Sequence, residues 1–294
     1  MKLSTFEALK NALPAGAFYL TDDQLAALQD TLLMMLRDLG AIAAAHDIAL
    51  TLGGGTALGA ARHGGFIPWD DDVDLNVPRR DYERLVRLLR EEHADEYWVH
   101  TPRDTPGYGI LTTRVRRVGT VVKQREDDYG DECGATIDLC PIENTYDNAV
   151  LRALHGALCM GFGFALSCRK LWRDRKSVRP LLRGDRGAYR LKAAVGLCLS
   201  WAGVDFWARA ADRVYAMCRN ERSKYVVMPA GRAHFFGELY PRATFMRTRR
   251  IDFAGVPCAV TAALDDYLTR LYGDWRAEPE SDRRERHAYF AFEL

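Results

Sequence analysis

The hydrophobic positions of the first sixty residues change from a helical spacing to a strand-like one. Thr21 is a residue type that caps helices, and the leucines after it recur at helical spacing: Leu25, Leu28, Leu32, Leu36 and Leu39. Residues 47–52 then have the pattern of a strand, and they lead into three consecutive glycines at 53–55. A short helix is predicted from Thr56 to Arg62, so the glycines form a turn between a strand and a helix.

A second strand is predicted where polar and apolar residues alternate from Asp72 to Leu75. Successive side chains of a strand point to opposite faces, so Asp72 and Asp74 share one face while Val73 and Leu75 enter the core. Asp70 has the same parity but precedes the regular strand. Asp71 has the opposite parity, and we expect it to be a solvated or capping group.

Further patterns extend the alternation of strands and helices. An amphipathic helix is predicted from Arg79 to His93, and two short strands are predicted near 109–117 and 119–123. A later strand carries Asp138 between Ile137 and Leu139. Helical patterns return over 151–168, 193–199 and 206–217. The chain therefore begins as an α/β protein and continues into a helical segment.

The helical segment opens on a largely apolar stretch, residues 151–168, that falls short of a comfortable membrane-spanning length. A basic run follows, offset only by Asp174 and Asp185: Arg169, Lys170, Arg173, Arg175, Lys176, Arg179, Arg183, Arg186, Arg190 and Lys192. One interpretation is an interfacial helix and a basic segment that dock on anionic lipid or a phosphate-rich acceptor. The other is a core helix followed by a solvated loop, and the pattern leaves both open.

Composition limits the class of protein. The chain has 294 residues and a formal net charge of +1, so no bulk affinity for nucleic acid or membrane follows, and no nucleic-acid partner is expected. Its seven cysteines include no CxxC pair, which favours a reduced, cytoplasmic protein without a structural zinc site. The N-terminus lacks the apolar core of a signal peptide.

The carboxylates and glycines between residues 52 and 75 are the strongest candidates for chemistry. Asp72 and Asp74 would repel unless a cation neutralised them, and Mg²⁺ prefers such hard oxygen ligands. Asp138 is the best third carboxylate, because a single acid in an apolar strand is costly unless it is paired or metal-bound. Backbone N–H groups of the glycine turn can approach a phosphate, and Arg62 and His63 lie beside it. The alternatives are an acidic surface turn without metal and an edge-strand Asp138 that faces water.

The stretch from Gly55 to Asp74, GTALGAARHGGFIPWDDDVD, resembles the signature of the LicD family, with Ala57 where leucine is usual. Arg79 to Tyr82 resembles the family's segment after the acidic strand, and Ile137 to Pro141 resembles another, with Cys140 in place of phenylalanine. The tail from Asp266 to His287 is similar as well. The resemblance covers about residues 50–145 and 235–290.

This resemblance implies a nucleotidyltransferase-like core, with a small mixed sheet flanked by helices, and the helical patterns after it predict a helical insertion. The core would occupy 1–145 and the insertion 146–225, and residues 226–294 would pack back on the core. The family's reaction is transfer of a phospho-alcohol, such as phosphocholine or phosphoribitol, from a CDP-linked donor to a glycan or glycolipid hydroxyl, with release of CMP. We expect a cytoplasmic enzyme, with peripheral contact to the inner face of an anionic membrane as a further candidate.

The family's residue roles carry over by position. Asp72, Asp74 and Asp138 become the catalytic and metal-binding residues, with Mg²⁺ or Mn²⁺ as the cofactor. The donor's phosphates are assigned to six residues: Gly54, Gly55, Thr56, Arg62, His63 and Arg79. Asp70, Lys123 and His287 are further candidates for the site. Lys123 follows a strand that lets it reach a nucleotide phosphate, and His287 lies in the matching tail.

Two other functions remain open at the level of sequence. A nucleotidyltransferase would move NMP from an NTP to a small hydroxyl compound with the same metals, and would release pyrophosphate. A catalytically silent glycan- or membrane-binding adaptor would keep the fold without the chemistry. The presence of Asp72, Asp74 and Asp138 together argues against the adaptor.

Overall fold

The computed structural model describes residues 13–125, 127, 130–181, 187–280, 284 and 286–294. The helices of these residues are α1 (Asp22–Ala45), α2 (Gly54–His63), α3 (Arg79–Glu92), α4 (Ala149–Arg173), α5 (Arg175–Val178), α6 (Gly187–Cys198), α7 (Val204–Tyr215), α8 (His234–Gly237), α9 (Arg242–Phe245) and α10 (Leu264–Tyr272). The strands are β1 (Thr51–Leu52), β2 (Val73–Pro78), β3 (Tyr97–His100), β4 (Thr113–Arg117), β5 (Val121–Gln124), β6 (Thr136–Asn144), β7 (Tyr225–Val227), β8 (Leu239–Pro241), β9 (Thr248–Phe253), β10 (Val256–Thr261) and β11 (Tyr289–Glu293).

A seven-stranded mixed sheet forms the centre of the molecule. Five strands follow the order β1-β2-β6-β4-β3, and β7 pairs with the end of β6 and with β8. The β2–β6 pair is parallel and the other pairs are antiparallel. Two smaller sheets pair β9 with β10 and β5 with β11. This mixed sheet, flanked by helices, confirms the predicted fold class.

Helix α1 shows why the leucine spacing predicted it correctly. The Gln24 N–H donates to the Thr21 hydroxyl, and the Gln24 side chain accepts from the Thr21 N–H, which satisfies two donors at the helix start. Its buried face consists of residues 3–4 apart, among them Leu28, Leu32 and Leu39, each nearly without exposed surface. That face packs in the main hydrophobic core with the inner side chains of β2 and β6.

Two boundaries near the glycine turn differ from the prediction. The strand before the turn covers only Thr51–Leu52, the two residues that pair with Asn76 and Leu75 of β2, and Asp47 has a left-handed backbone (φ +48°) that does not fit a strand. Helix α2 begins at Gly54 rather than at Thr56, so the glycines form the helix start and not a separate loop.

Helix α4 is longer than the sequence indicated. It runs for 25 residues, and its most apolar window has a mean hydropathy of 1.5, so by length and composition it is long enough to cross a membrane. The prediction that this stretch falls short of spanning length was therefore wrong. Arg183, Asp185 and Arg186 of the basic run lie outside the described residues. The division into core, insertion and C-terminal segment stays a prediction.

Candidate active site

The acidic residues of β2 and β6 meet because these two strands run parallel and side by side. In their register Asp74 lies opposite Asp138, and Asp72 directly precedes β2. Burial raises the pKa of Asp72 well above its usual range, and the charge of Asp70 raises it further. Burial also raises the pKa of Asp74 well above its usual range, with the charges of Asp72 and Asp138 adding to it. These oxygens therefore form a concentration of negative charge of the kind that a divalent cation neutralises.

Asp138 is not a lone charge in an apolar strand. The neighbouring antiparallel strand β4 puts Arg114 opposite it, and the Arg114 Nε lies 3.4 Å from the Asp138 Oδ1. The Thr112 hydroxyl is 3.5 Å from the other carboxylate oxygen. Arg114 also donates from Nη1 to the buried Asp127, at 3.1 Å, so one guanidinium serves two acids. The charge of Asp138 is thus partly compensated before any metal binds.

The glycine turn is built around the Asp74 carboxylate. Gly54 has φ +42°, and a Cβ at this position would lie 2.1 Å from the Asp74 Oδ2. The Gly55 N–H donates to the same carboxylate, while the Gly54 N–H donates to the Tyr267 hydroxyl at 2.9 Å. The buried Thr56 hydroxyl accepts from the Asp74 N–H at 2.8 Å. The turn therefore fixes both the backbone and the side chain of Asp74, and contact with a donor phosphate stays a prediction.

The C-terminal strand reaches the acidic cluster through Asp71. The His287 Nδ1 lies 2.6 Å from the Asp71 Oδ1, and the Tyr289 hydroxyl donates to the other oxygen. Burial acts to raise the pKa of Asp71, but the charge of His287 and the hydrogen bonds from His287 and Tyr289 together lower it. Only 9% of the Asp71 side chain is exposed, so the expectation of a solvated or capping group was wrong. Parity in the strand was a poor guide because Asp71 precedes β2.

His287 also belongs to a second group of ligand atoms. One atom each from Asp71, Asp72 and His287 lie within 4.8 Å of one another. The structure therefore brings His287, predicted from the tail, to the carboxylates. Asp72 is shared between this group and the predicted set of Asp72, Asp74 and Asp138.

Four residues that the sequence assigned to phosphate binding contact other parts of the protein. Arg62 and His63 are the first two. Arg62 donates from Nη1 to the carbonyls of Trp275 (3.0 Å) and Ala277 (3.2 Å), and its Nε lies 2.9 Å from the His63 Nε2. Burial, and then the charge of Arg62, lowers the pKa of His63. This pair holds the C-terminal segment against α2.

Arg79 and Lys123 are the other two, and each has neighbours that belong to the fold itself. The Arg79 guanidinium forms a two-pronged ion pair with the buried Glu143 and a 3.0 Å contact with the buried Asp212 of α7. It therefore joins the sheet to the helical segment. Lys123 lies in β5, opposite Ala291 of β11. Contact of these side chains with donor phosphates stays a prediction.

Three residues near Asp74 were not among the predicted site residues. Glu238 is 1% exposed and accepts from the Ala233 N–H at 2.8 Å, and burial together with the charge of Asp74 raises its pKa to about 7. Tyr267 bonds the glycine turn, and Cys140 has a thiol pKa raised well above its usual range by burial, then by Asp74 and Asp138. Tyr267 lies in the matching tail, so that signal was available. Nothing in the spacing around Glu238 indicated its position.

Comparisons with known proteins point in one direction. A sequence model of the LicD/FKTN/FKRP nucleotidyltransferase domain matches residues 47–126. A protein of Haemophilus influenzae named lipopolysaccharide cholinephosphotransferase LicD is 44% identical over 256 residues, which is 85% of this chain and 90% of the relative. An uncharacterized protein of Rickettsia prowazekii is 34% identical over 73 residues, a quarter of this chain.

Proposed function

The chain belongs to the LicD family, and we propose that it transfers phosphocholine or a similar phospho-alcohol from a CDP-linked donor to a hydroxyl of lipopolysaccharide or a related glycan. It is a transferase of phosphorus-containing groups. The name of the Haemophilus relative supports phosphocholine and lipopolysaccharide as the first candidates. The CDP donor, and the release of CMP, are supported by the matched signature from Gly55 to Asp74. A cytoplasmic location stays a prediction.

The observation that carries this proposal is that Asp74 lies opposite Asp138 in the sheet, with Asp72 near enough for its charge to raise the pKa of Asp74. We assign these three as ligands of Mg²⁺ or Mn²⁺, and Asp70 as an acid beside them. The raised pKa values of Asp72 and Asp74 support the assignment, because they arise from burial and mutual repulsion that a bound cation would relieve. When bound, the cation supplies positive charge next to the phosphate oxygens of the donor.

We propose that Asp138 also accepts the proton of the attacking hydroxyl. The acceptor oxygen forms a bond to the phosphorus that carries the alcohol, and the bond from this phosphorus to CMP breaks, so CMP leaves with the electron pair. The Arg114 guanidinium lies 3.4 Å from one oxygen of Asp138 and the Thr112 hydroxyl 3.5 Å from the other, so both oxygens have polar neighbours.

The glycine turn has a supporting role in this proposal. All three N–H groups of the glycine turn are already used: Gly53 donates to the Asp74 carbonyl, Gly54 to the Tyr267 hydroxyl and Gly55 to the Asp74 carboxylate. The turn therefore acts first by fixing Asp74, and contact of Thr56 or of these glycines with a donor phosphate stays a prediction.

Product analysis tests the proposal directly. The protein, with Mg²⁺ and lipopolysaccharide, is incubated with CDP-choline or CDP-ribitol, and separately with CTP and phosphocholine. We expect CMP from a CDP-alcohol, and excess EDTA should stop its release reversibly. Release of pyrophosphate from CTP without CMP from any CDP-alcohol would instead indicate a nucleotidyltransferase.

A matched pair of variants tests the acidic cluster. Asp74→Asn should lower turnover by at least about a hundredfold, because it removes a charge that acts at the reacting phosphate. Its thermal stability should not fall, since relief of repulsion offsets the lost group. Asp266→Asn changes an exposed acid of α10 and should leave turnover unchanged. Equal turnover in the two variants would contradict the assignment of Asp74.

A further inference from the structure

Helix α4 has an apolar face that no described part of the chain covers. Large side chains on this face have between 41% and 67% of their surface exposed: Val150, Leu151, Leu154, Leu158 and Met160. Between residues 149 and 160 the sequence holds one charged side chain, Arg152. Arg152 is turned back onto the carbonyls of Tyr146 and Asp147 and onto the ring of Tyr225. The exposed face is therefore apolar over about three helical turns.

The opposite face of α4 is held against the protein along its whole length. Near its start, His155 is 1% exposed, and its ring nitrogens lie 3.0 Å from the Thr145 hydroxyl and from the Val214 carbonyl. Near its end, Arg169 donates to the Ala202 carbonyl, and Arg173 donates to the Gly107 carbonyl. A helix fixed at both ends to the same protein body cannot cross a bilayer without losing these contacts. Its apolar face is suited to lying on a membrane surface.

Helix α6 and the corner after it present further apolar groups. Helix α6 packs closely on α4, since a Cβ at Gly196 would lie 2.2 Å from the Cys168 carbonyl. Its outer face exposes Leu191 and Leu197, and Trp201 is 70% exposed with its ring 5.3 Å from that of Phe206. Exposed tryptophan next to leucine is typical of side chains that enter the interface of a membrane.

Cations accompany these apolar groups. Lys176, Arg179 and Arg190 are exposed. Lys176 and Arg179 follow α4 in the chain, and Arg190 lies in α6 directly before Leu191. Such cations attract the anionic headgroups of a bilayer. A second copy of this chain would bring the same cations to a two-fold contact, where like charges repel. The charge therefore favours a lipid surface over self-association.

We propose that the exposed face of α4, with Leu191, Leu197 and Trp201, is a docking surface for an anionic phospholipid bilayer. The protein lies on the membrane through this surface and does not span it. The inference does not depend on the identity of the donor or of the acceptor.

Vesicle co-sedimentation of the full chain tests the proposal. Vesicles of phosphatidylcholine are compared with vesicles that also contain phosphatidylglycerol, at low and at high salt. We expect binding to the anionic vesicles that weakens as salt rises, because the cations act through a screened field. Wild-type protein that stays in the supernatant with anionic vesicles at low salt would overturn the proposal.

Two triple variants separate the apolar from the electrostatic contribution. Leu151→Gln/Leu154→Gln/Leu158→Gln changes exposed side chains only, and should weaken binding by at least roughly tenfold. The charge variant combines Lys176→Gln, Arg179→Gln and Arg190→Gln. It should weaken binding by about fivefold for each cation removed. Matched controls change exposed residues outside the docking surface: Leu13→Gln/Met34→Gln/Leu294→Gln for the apolar variant and Arg247→Gln/Arg249→Gln/Arg250→Gln for the charge variant.

The controls distinguish membrane docking through this surface from binding elsewhere on the protein and from self-association. Binding that is reduced equally by a variant and by its control would refute docking through this surface. A wild-type dimer in light scattering that the leucine variant converts to monomer, without vesicle binding by either, would show a self-association interface instead. Quenching of tryptophan fluorescence by brominated lipid should fall in Trp201→Phe, and unchanged quenching would exclude the corner after α6 from the contact.

Discussion

Gly54→Ala should inactivate the enzyme through the smallest possible side chain. Gly54 has φ +42°, a conformation that side chains rarely adopt, and the added methyl carbon would lie 2.1 Å from the Asp74 Oδ2. Gly64 provides a matched control, because it has φ +70° and a Cβ there would meet nothing within 4 Å. Gly64→Ala thus introduces the backbone strain without the collision.

The two variants differ by a calculable amount. An alanine in the left-handed region costs about 1–2 kcal/mol, of which about 0.4–1 kcal/mol is offset by the stiffer unfolded chain. Gly54→Ala adds an overlap that costs about 1–3 kcal/mol to relieve. The collision must move the Asp74 carboxylate from 2.1 Å to ordinary contact beyond 3.4 Å. A displacement of about 1 Å at a reacting centre lowers turnover by about a hundredfold.

Urea unfolding and Mg²⁺-dependent CMP release measure the two effects separately. We expect Gly54→Ala to unfold at lower urea than Gly64→Ala, to keep a folded near-ultraviolet circular dichroism spectrum, and to lose turnover. Gly64→Ala should keep turnover near the wild-type level. If both variants released CMP at the same rate, the idea that Gly54 exists to make room for Asp74 would be refuted.

Two further predictions concern buried charges. Because Glu238 has a pKa raised from 4.5 to about 7, the unfolded chain releases this proton at lower pH than the folded protein, so the free energy of unfolding should fall by about 3 kcal/mol as pH rises through this window. In Glu238→Gln, the free energy of unfolding, measured by urea titration in EDTA, should fall less as pH rises. The same pH dependence as in the wild type would refute the assignment to Glu238. Arg79→Ala leaves the buried Glu143 without the cation that it pairs with, while Asp212 keeps Arg103, and should cost about 3–5 kcal/mol of stability. Arg80→Ala, at a side chain 74% exposed, should change stability by less than about 0.5 kcal/mol. Equal urea midpoints for these two variants would show that the Arg79 network is not structural.

Local patterns were enough to predict the main elements of the core. The leucine spacing identified α1, and alternation identified the strand of Asp74. The same reasoning found α3 and the strand of Asp138. These features depend on residues only a few positions apart, because one repeat of a helix or of a strand spans only two to four residues. The matched signature gave the family from the same local information.

Contacts between distant parts of the chain were beyond the reach of these patterns. The cations Arg62 and Arg79 look equally suited to phosphate in the sequence, and only the fold assigns them to Trp275 and Glu143. Asp71 was misjudged for the same reason, because its partners lie more than two hundred residues later.

The sequence by itself determined which carboxylates exist and which face of a strand carries them, since this depends on a period of two residues. Only the tertiary structure decided that Asp74 lies opposite Asp138, because the parallel register of β2 and β6 joins strands more than sixty residues apart. It also brought Glu238 to Asp74 and Arg114 to Asp138. The physical reason is that the charge and pKa of a buried group depend on every neighbour in space, and packing alone determines those neighbours.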